Sequence, residues 1–127
     1  MFASRRLLNA VTKKSTGIYG LPVHPNPRPQ LISLYNDTLK TLEQIPAHAV
    51  YRQATAALTN HRLSVVNGTE DIAKIEQTLD AGQIEEVVVQ AVDELKLAEK
   101  MLEWKPWEPL ETPAPKDQWN YKYNDQN

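Results

Sequence analysis

The stretch QIEEVVVQAVDELKLAEKMLEW, residues 83–104, decides the fold. Ile84, Val87, Val88, Ala91, Leu95, Ala98, Met101 and Leu102 recur at steps of three and four, which puts them on one helix face. Glu85, Glu86, Asp93, Glu94, Lys96, Glu99 and Lys100 fall mostly on the other side. Val87-Val88-Val89 is β-branched, but it lies inside a 3.6-residue period too long for a strand, so helix wins. At 1.5 Å per residue the segment makes a rod of roughly 33 Å. Glu85 and Glu86 suit the positive end of its dipole, and Pro106 stops it.

Reading outward toward the N-terminus, Thr69 is placed to cap a short helix with the apolar stripe Ile72, Ile75 and Leu79. Glu70 and Lys74 are four apart in the favourable order, and Gly82 closes this helix. A longer stretch runs from about Ala47 to Val66. Ala49, Val50, Ala54, Ala57 and Leu58 mark its first half, and Leu63, Val65 and Val66 its second. Thr59-Asn60 are poor helix-interior residues, so a break is expected there, with a left-handed cap at Asn67-Gly68. The first helix begins near Pro29 and carries Leu31, Leu34, Tyr35, Thr38, Leu39, Leu42 and Ile45 on one face until Pro46. No segment shows strand alternation. The expected fold is all-α: an antiparallel three-helix-type bundle over 29–105, with an extra short helix and extended arms at 1–28 and 106–127.

The two arms differ in chemistry. Residues 1–16, MFASRRLLNAVTKKST, are basic, free of acids and mildly amphipathic through Phe2, Leu7, Leu8 and Val11. That composition suits a mitochondrial targeting segment, and a plain basic tail is the alternative. Residues 17–30, GIYGLPVHPNPRPQ, hold two glycines and four prolines and are read as extended, with Tyr19 and Leu21 available to tack them onto the body. The C-terminal arm concentrates Trp104, Trp107, Trp119, Tyr121 and Tyr123 among Pro106, Pro109, Pro113 and Pro115. Proline removes a backbone donor and stops a helix, so this arm is expected to run extended. Its aromatics must cover the body or dock on another protein. Trp104, Trp107, Glu108, Pro109, Leu110, Trp119, Tyr121 and Tyr123 are the candidate partner interface. For Trp104 and Trp107, closure of the open end of the bundle is the equal alternative.

Composition narrows the function. The 127 residues make one domain with tails. No cysteine is present, which excludes disulfides, thiolate metal sites and thiol catalysis. Residues 1–36 carry five cations and no acid, whereas residues 37–127 carry nine cations and sixteen acids, a net of −7. An acidic body is unsuited to nucleic acid, which is bound through clustered cations. No apolar run approaches the ~20 residues of a membrane span. His24, His48 and His61 lack metal-ligand spacing, and no phosphate-binding glycine loop occurs. The acids of the last helix read as a solvated face, with contact to a basic partner as the sharper reading. Neither a catalytic site, a cofactor nor a metal is expected.

One resemblance is specific. Leu34-Tyr35, Leu42-Glu43-Gln44-Ile45-Pro46, Tyr51-Arg52, Thr59-Asn60, Gly82-Gln83-Ile84-Glu85-Glu86-Val87, the block Glu103-Trp104-Lys105-Pro106-Trp107-Glu108-Pro109-Leu110, and Asp117-Gln118-Trp119 follow in order. From about Thr16 to Trp119 the chain resembles the alpha-subcomplex subunit 5 family of mitochondrial NADH:ubiquinone oxidoreductase, respiratory complex I. The two ends depart from that pattern: a longer, more basic start and the extension NYKYNDQN after Trp119. The resemblance implies a noncatalytic helical-bundle accessory subunit without flavin, iron–sulfur cluster or quinone site. It also implies a place on the matrix side of the inner membrane, on the peripheral arm near the quinone-reducing module. The implied partners are the 30-kDa core subunit of that arm and the 42-kDa accessory subunit, and the implied role is assembly and stability. The alternative is a free-standing helical adaptor of the mitochondrial matrix.

Overall fold

The computed structural model describes residues 13–119. They form four helices: α1 (Pro27–Glu43), α2 (Val50–Gly68), α3 (Ile72–Leu79) and α4 (Ile84–Trp104). No strand occurs among the described residues. The targeting-type segment lies mostly outside them, as do Tyr121 and Tyr123.

Helix α1 is the hub, with α2 and α4 packed on it, while α2 and α4 barely meet each other. The end-to-end bonds fix the directions. Arg28 at the start of α1 reaches the last carbonyls of α2, while Arg52 near the start of α2 donates to Ile45 O past the end of α1 (2.6 Å). These two therefore run antiparallel. Leu31 and Tyr35 share a cluster with Ile84, Val87, Val88 and Ala91, and Leu42 shares one with Ala98, so α1 and α4 run parallel. The up-down-up bundle expected from periodicity is present, with α3 as the extra short helix.

The α1 and α4 stripes are the core. Leu31, Leu42, Ile45, Ile84, Val87 and Ala98 are all at most 2% exposed. Each of the leucine, isoleucine and valine side chains among them contributes about 1.5–3 kcal/mol by its burial. The core is split into two clusters, one around Ile75 of α3 and one around Leu42 and Ala98. Between them lies a polar waist of buried Thr38 on α1 and Thr55 and Thr59 on α2.

Helix α2 departs from expectation. It runs unbroken through Thr59-Asn60; its second half buries Val66 and packs Leu63 on the core as expected, but the inner face of its first half is not the apolar set. Thr55 and Thr59 are buried, whereas Val50 is 77% and Leu58 50% exposed, and Ala54 and Ala57 face solvent as well. A helical threonine can return its hydroxyl to the carbonyl four residues back, as Thr38 Oγ1 does to Leu34 O at 2.8 Å. Such a residue carries its own acceptor into a core, so Thr59 need not interrupt the helix.

Four end assignments also change. Helix α1 starts at Pro27, the first helical position and buried, two residues before Pro29. Gly68 does not adopt a left-handed cap. The terminal carbonyls of α2 are taken instead by Arg28, whose Nε donates to Val66 O (2.9 Å) and Nη2 to Asn67 O (3.0 Å). Asp71, not Thr69, caps α3, accepting from Ala73 N at 3.1 Å. Asp80 closes α3 in the left-handed region (φ 49°), donating its N–H to Glu76 O.

Candidate interaction surface

The start of α4 is held by carboxylates. Glu86 Oε2 accepts from Gln83 N (2.7 Å) and Glu76 Oε1 accepts from Ile84 N (2.9 Å), so two donors at this helix start are satisfied. Gly82 sits at φ +89°, and a Cβ there would meet the Glu86 carboxylate, so glycine alone lets the cap close.

Glu85 is not on a solvated face. It is 3% exposed. Its carboxylate accepts from Lys13 Nζ and, at 3.3 Å, from the backbone N–H of His24. Burial alone would raise its pKa, but the Lys13 ammonium and the backbone donors outweigh it and hold the carboxyl below its usual range. Gln83 extends the node, accepting from Lys13 (2.7 Å) and donating to Thr16 O (2.7 Å). Lys13 and Thr16 belong to the basic segment assigned to targeting, yet both are fixed to the body. Tyr19, by contrast, stands clear in solvent, and Leu21 is half-buried. Sequence reasoning missed this pairing because nothing local links positions 72 residues apart. Its one visible signal was an acid flanked by Ile84 and Val87-Val88 at the head of an apolar stripe.

The candidate interface residues divide. Trp107 is half-buried and packs on the Leu42–Ala98 cluster. Trp104, on the last turn of α4, is 61% exposed. Leu110 and Trp119 are 71% and 79% exposed, and Glu108 and Pro109 are also at the surface. The arm is not one continuous extended strip. After α4 ends on left-handed Lys105, it folds in hydrogen-bonded turns, Glu108 N to Lys105 O and Gln118 N to Pro115 O. Trp107 therefore closes one end of the core, while Trp104, Leu110 and Trp119 are held out of it.

A second surface lies between α2 and α4. A groove enclosing about 320 Å³ opens at the polar waist, floored by Tyr35, Thr38, Thr59 and Ala91, with Leu58 and Leu97 on its lips. Two bonds cross it: Tyr51 OH donates to Glu94 Oε1 (2.7 Å) and Arg62 Nη1 to Gln90 Oε1 (3.1 Å). Burial and the Glu94 carboxylate both raise the Tyr51 phenol well above its ordinary pKa. The hydroxyl of Tyr35 is buried without a hydrogen-bond partner. Burial raises its pKa as well, opposed by the nearby Arg62.

Among the described residues no cluster of three or more histidine, aspartate or glutamate side chains is placed to hold a metal. Their helices include none long and apolar enough to cross a membrane. His48 and His61 lie at the surface, and His24 Nδ1 accepts from Asn26 N.

A family described as the ETC complex I subunit conserved region matches residues 20–86. The Trp104–Leu110 block, the most specific part of the resemblance, lies beyond that stretch. The chain is 47% identical over 109 residues to the mouse (Mus musculus) NADH dehydrogenase [ubiquinone] 1 alpha subcomplex subunit 5, covering 86% of this chain and 94% of that protein. It is 50% identical over 119 residues to the Candida albicans alpha subcomplex subunit MCI4, covering 93% and 86%. A probable mitochondrial subunit 5 from Arabidopsis thaliana is 47% identical over 102 residues, 80% of this chain and 60% of that protein. With more than half its length matched by the family and relatives near half identical across most of it, this chain belongs to the alpha subcomplex subunit 5 family of accessory subunits of respiratory complex I.

Proposed function

We propose that this chain is a noncatalytic accessory subunit that stabilises the peripheral arm of complex I on the matrix side of the inner membrane, close to the quinone-reducing module. The observation that carries the reading is the C-terminal arm. Trp104, Leu110 and Trp119 are held 61–79% exposed by turns and prolines at the end of the bundle. Large side chains of this kind are the usual centres of protein interfaces. The mechanism is mass action: a subunit that binds only the folded arm stabilises it in proportion to its affinity. The neighbours are proposed to be the 30-kDa core subunit, against the Trp104–Trp119 arm, and the 42-kDa accessory subunit.

The test is native gel separation of solubilised mitochondria, with mass spectrometry following this chain and amine cross-links from Lys105 and Lys116. Co-migration with the NADH-oxidising assembly, with cross-links into the 30-kDa or 42-kDa subunit, is the expected result. A free 14.4-kDa species would overturn the subunit reading and return the matrix adaptor. Co-migration with cross-links only to other subunits would overturn the two named neighbours.

A further inference from the structure

The apolar stripe on the first half of α2 is one the fold does not use. Val50, Ala54, Ala57 and Leu58 repeat at i, i+4, i+7 and i+8, the spacing of a core-facing helix, yet all four face solvent. The stripe ends at the lip of the α2–α4 groove, where Leu58 (50% exposed) faces across to Leu97 (36% exposed). The floor holds the Tyr35 hydroxyl, 4% exposed as a residue, near the Arg62 guanidinium but without a hydrogen bond of good geometry. A buried hydroxyl without a partner is costly, and a donor or acceptor entering the groove would relieve that cost. Asp93 and Glu94 line the α4 side of the groove and Arg62 the α2 side; Arg62 is bonded to Gln90 and Glu94 to the Tyr51 hydroxyl, while Asp93 pairs with no cation among the described residues.

We infer that this groove, continued along the exposed α2 stripe, receives a segment of a neighbouring complex I subunit that combines apolar side chains with a lysine or arginine. The apolar side chains cover Val50, Ala57 and Leu58 and enter between Leu58 and Leu97. The cation faces Asp93, with Glu94 beside it and Arg62 held away on Gln90, and a polar group of the segment meets Tyr35 OH. A second copy of this chain is disfavoured, because its body from residue 37 onward carries a net −7 against an acidic lip. The inference rests on the proposed subunit role, and the groove is distinct from the Trp104–Trp119 arm.

The absence of native cysteine makes the test direct. Leu58→Cys and Leu97→Cys are introduced singly and labelled with a maleimide, both as free protein and in the solubilised native complex. Burial under a partner predicts labelling slowed about tenfold or more in the complex. Failure of either variant to incorporate while its melting temperature is unchanged reports the same contact. Equal labelling rates in both states overturn the docking site. Asp93→Lys, at an exposed position, is then competed against wild type. Like-charge contact predicts incorporation reduced about tenfold at unchanged melting temperature, with Asp93→Asn reduced much less. Equal incorporation of Asp93→Lys overturns the basic partner. If wild type itself fails to co-migrate with the complex, the subunit role fails, and that result is separate from a groove labelled at its free rate inside an intact complex.

Discussion

Helices α4 and α2 present the same kind of apolar repeat and put it to opposite uses. On α4 the stripe from Ile84 to Ala98 is the buried one. On the first three turns of α2 the repeat Val50, Ala54, Ala57 and Leu58 lies outside and Thr55 and Thr59 lie inside; only near its end does a fully buried apolar residue, Val66, enter the core. The difference follows from the hub. Helix α4 has α1 along its length and α3 at its start, so one face is covered from end to end. The middle of α2 meets α1 at the polar waist, where Thr38 is the facing kind of residue, and only its end joins the apolar cluster through Val66; it is left without α4 on its other side. Periodicity announces a helix and its amphipathic axis. It does not say whether the apolar side belongs to the chain's own core or to another protein.

The largest expected effect tests that asymmetry. Ile84→Ala, at a site 2% exposed, is expected to lower the stability of the free protein by about 3 kcal/mol, from lost transfer energy and the cavity left behind. Val50→Ala, at 77% exposed, is expected to cost under about 0.5 kcal/mol. Urea titration of both variants measures the two values. A loss at position 50 matching that at 84 would mean that the α2 stripe is buried in solution and the comparison is wrong.

Next in size is the node that secures the start of α4. Lys13→Ala leaves the Glu85 carboxylate buried with only backbone donors, and Lys13 is itself 31% exposed, so screening reduces the effect to about 1–2 kcal/mol. The pH dependence has a definite sign. The Glu85 pKa is lower folded than unfolded, so its contribution is fully present above the unfolded value of 4.5 and is lost as pH falls through the folded value. Melting curves from pH 7 to pH 3 should therefore show wild type and Lys13→Ala converging toward the acid end. A constant gap across that range would assign the loss to packing of the lysine stem.

The parts of the fold that could be read from sequence are those written in local order. The stripes of α1 and α4, the short α3 and the stop before Pro106 depend on neighbours three or four residues away, and the structure reproduces them. What could not be read depends on distant partners. Gly68 looks like a terminator, but Arg28, 38 residues before Val66, already holds the α2 carbonyls. Glu85 looks like one more surface acid until Lys13 reaches it. Thr59 looks like a breaker until α1 supplies a polar waist. Within the candidate interface, the exposed C-terminal aromatics were legible from prolines and composition. The groove was not, because it forms where α2 and α4 fail to meet.

A smaller effect distinguishes two neighbouring caps. Asp71→Ala removes the side chain that accepts from Ala73 N and is expected to cost about 1 kcal/mol. Thr69→Ala, which removes no capping bond among those the structure shows, is expected to cost less than half of that, about 0.3 kcal/mol. A larger loss at Thr69 would restore the cap read from sequence and shift the start of α3.

The smallest expected change in the free protein is at Trp119. It is 79% exposed on the outer part of the arm, so Trp119→Ala should leave the melting temperature of the isolated chain unchanged, within about 0.5 kcal/mol. Trp107→Ala should not be silent, because its ring packs beside Leu42 and Ala98. The pair turns the comparison between inward and outward apolar surface into one between two readouts. Trp107→Ala is expected to lower both folding stability and incorporation into the complex. Trp119→Ala is expected to lower incorporation alone. If Trp119→Ala incorporates as wild type does, that ring carries no partner contact. The docking energy must then lie with Trp104 and Leu110 or with the α2 stripe, where the single-cysteine labelling already looks for it.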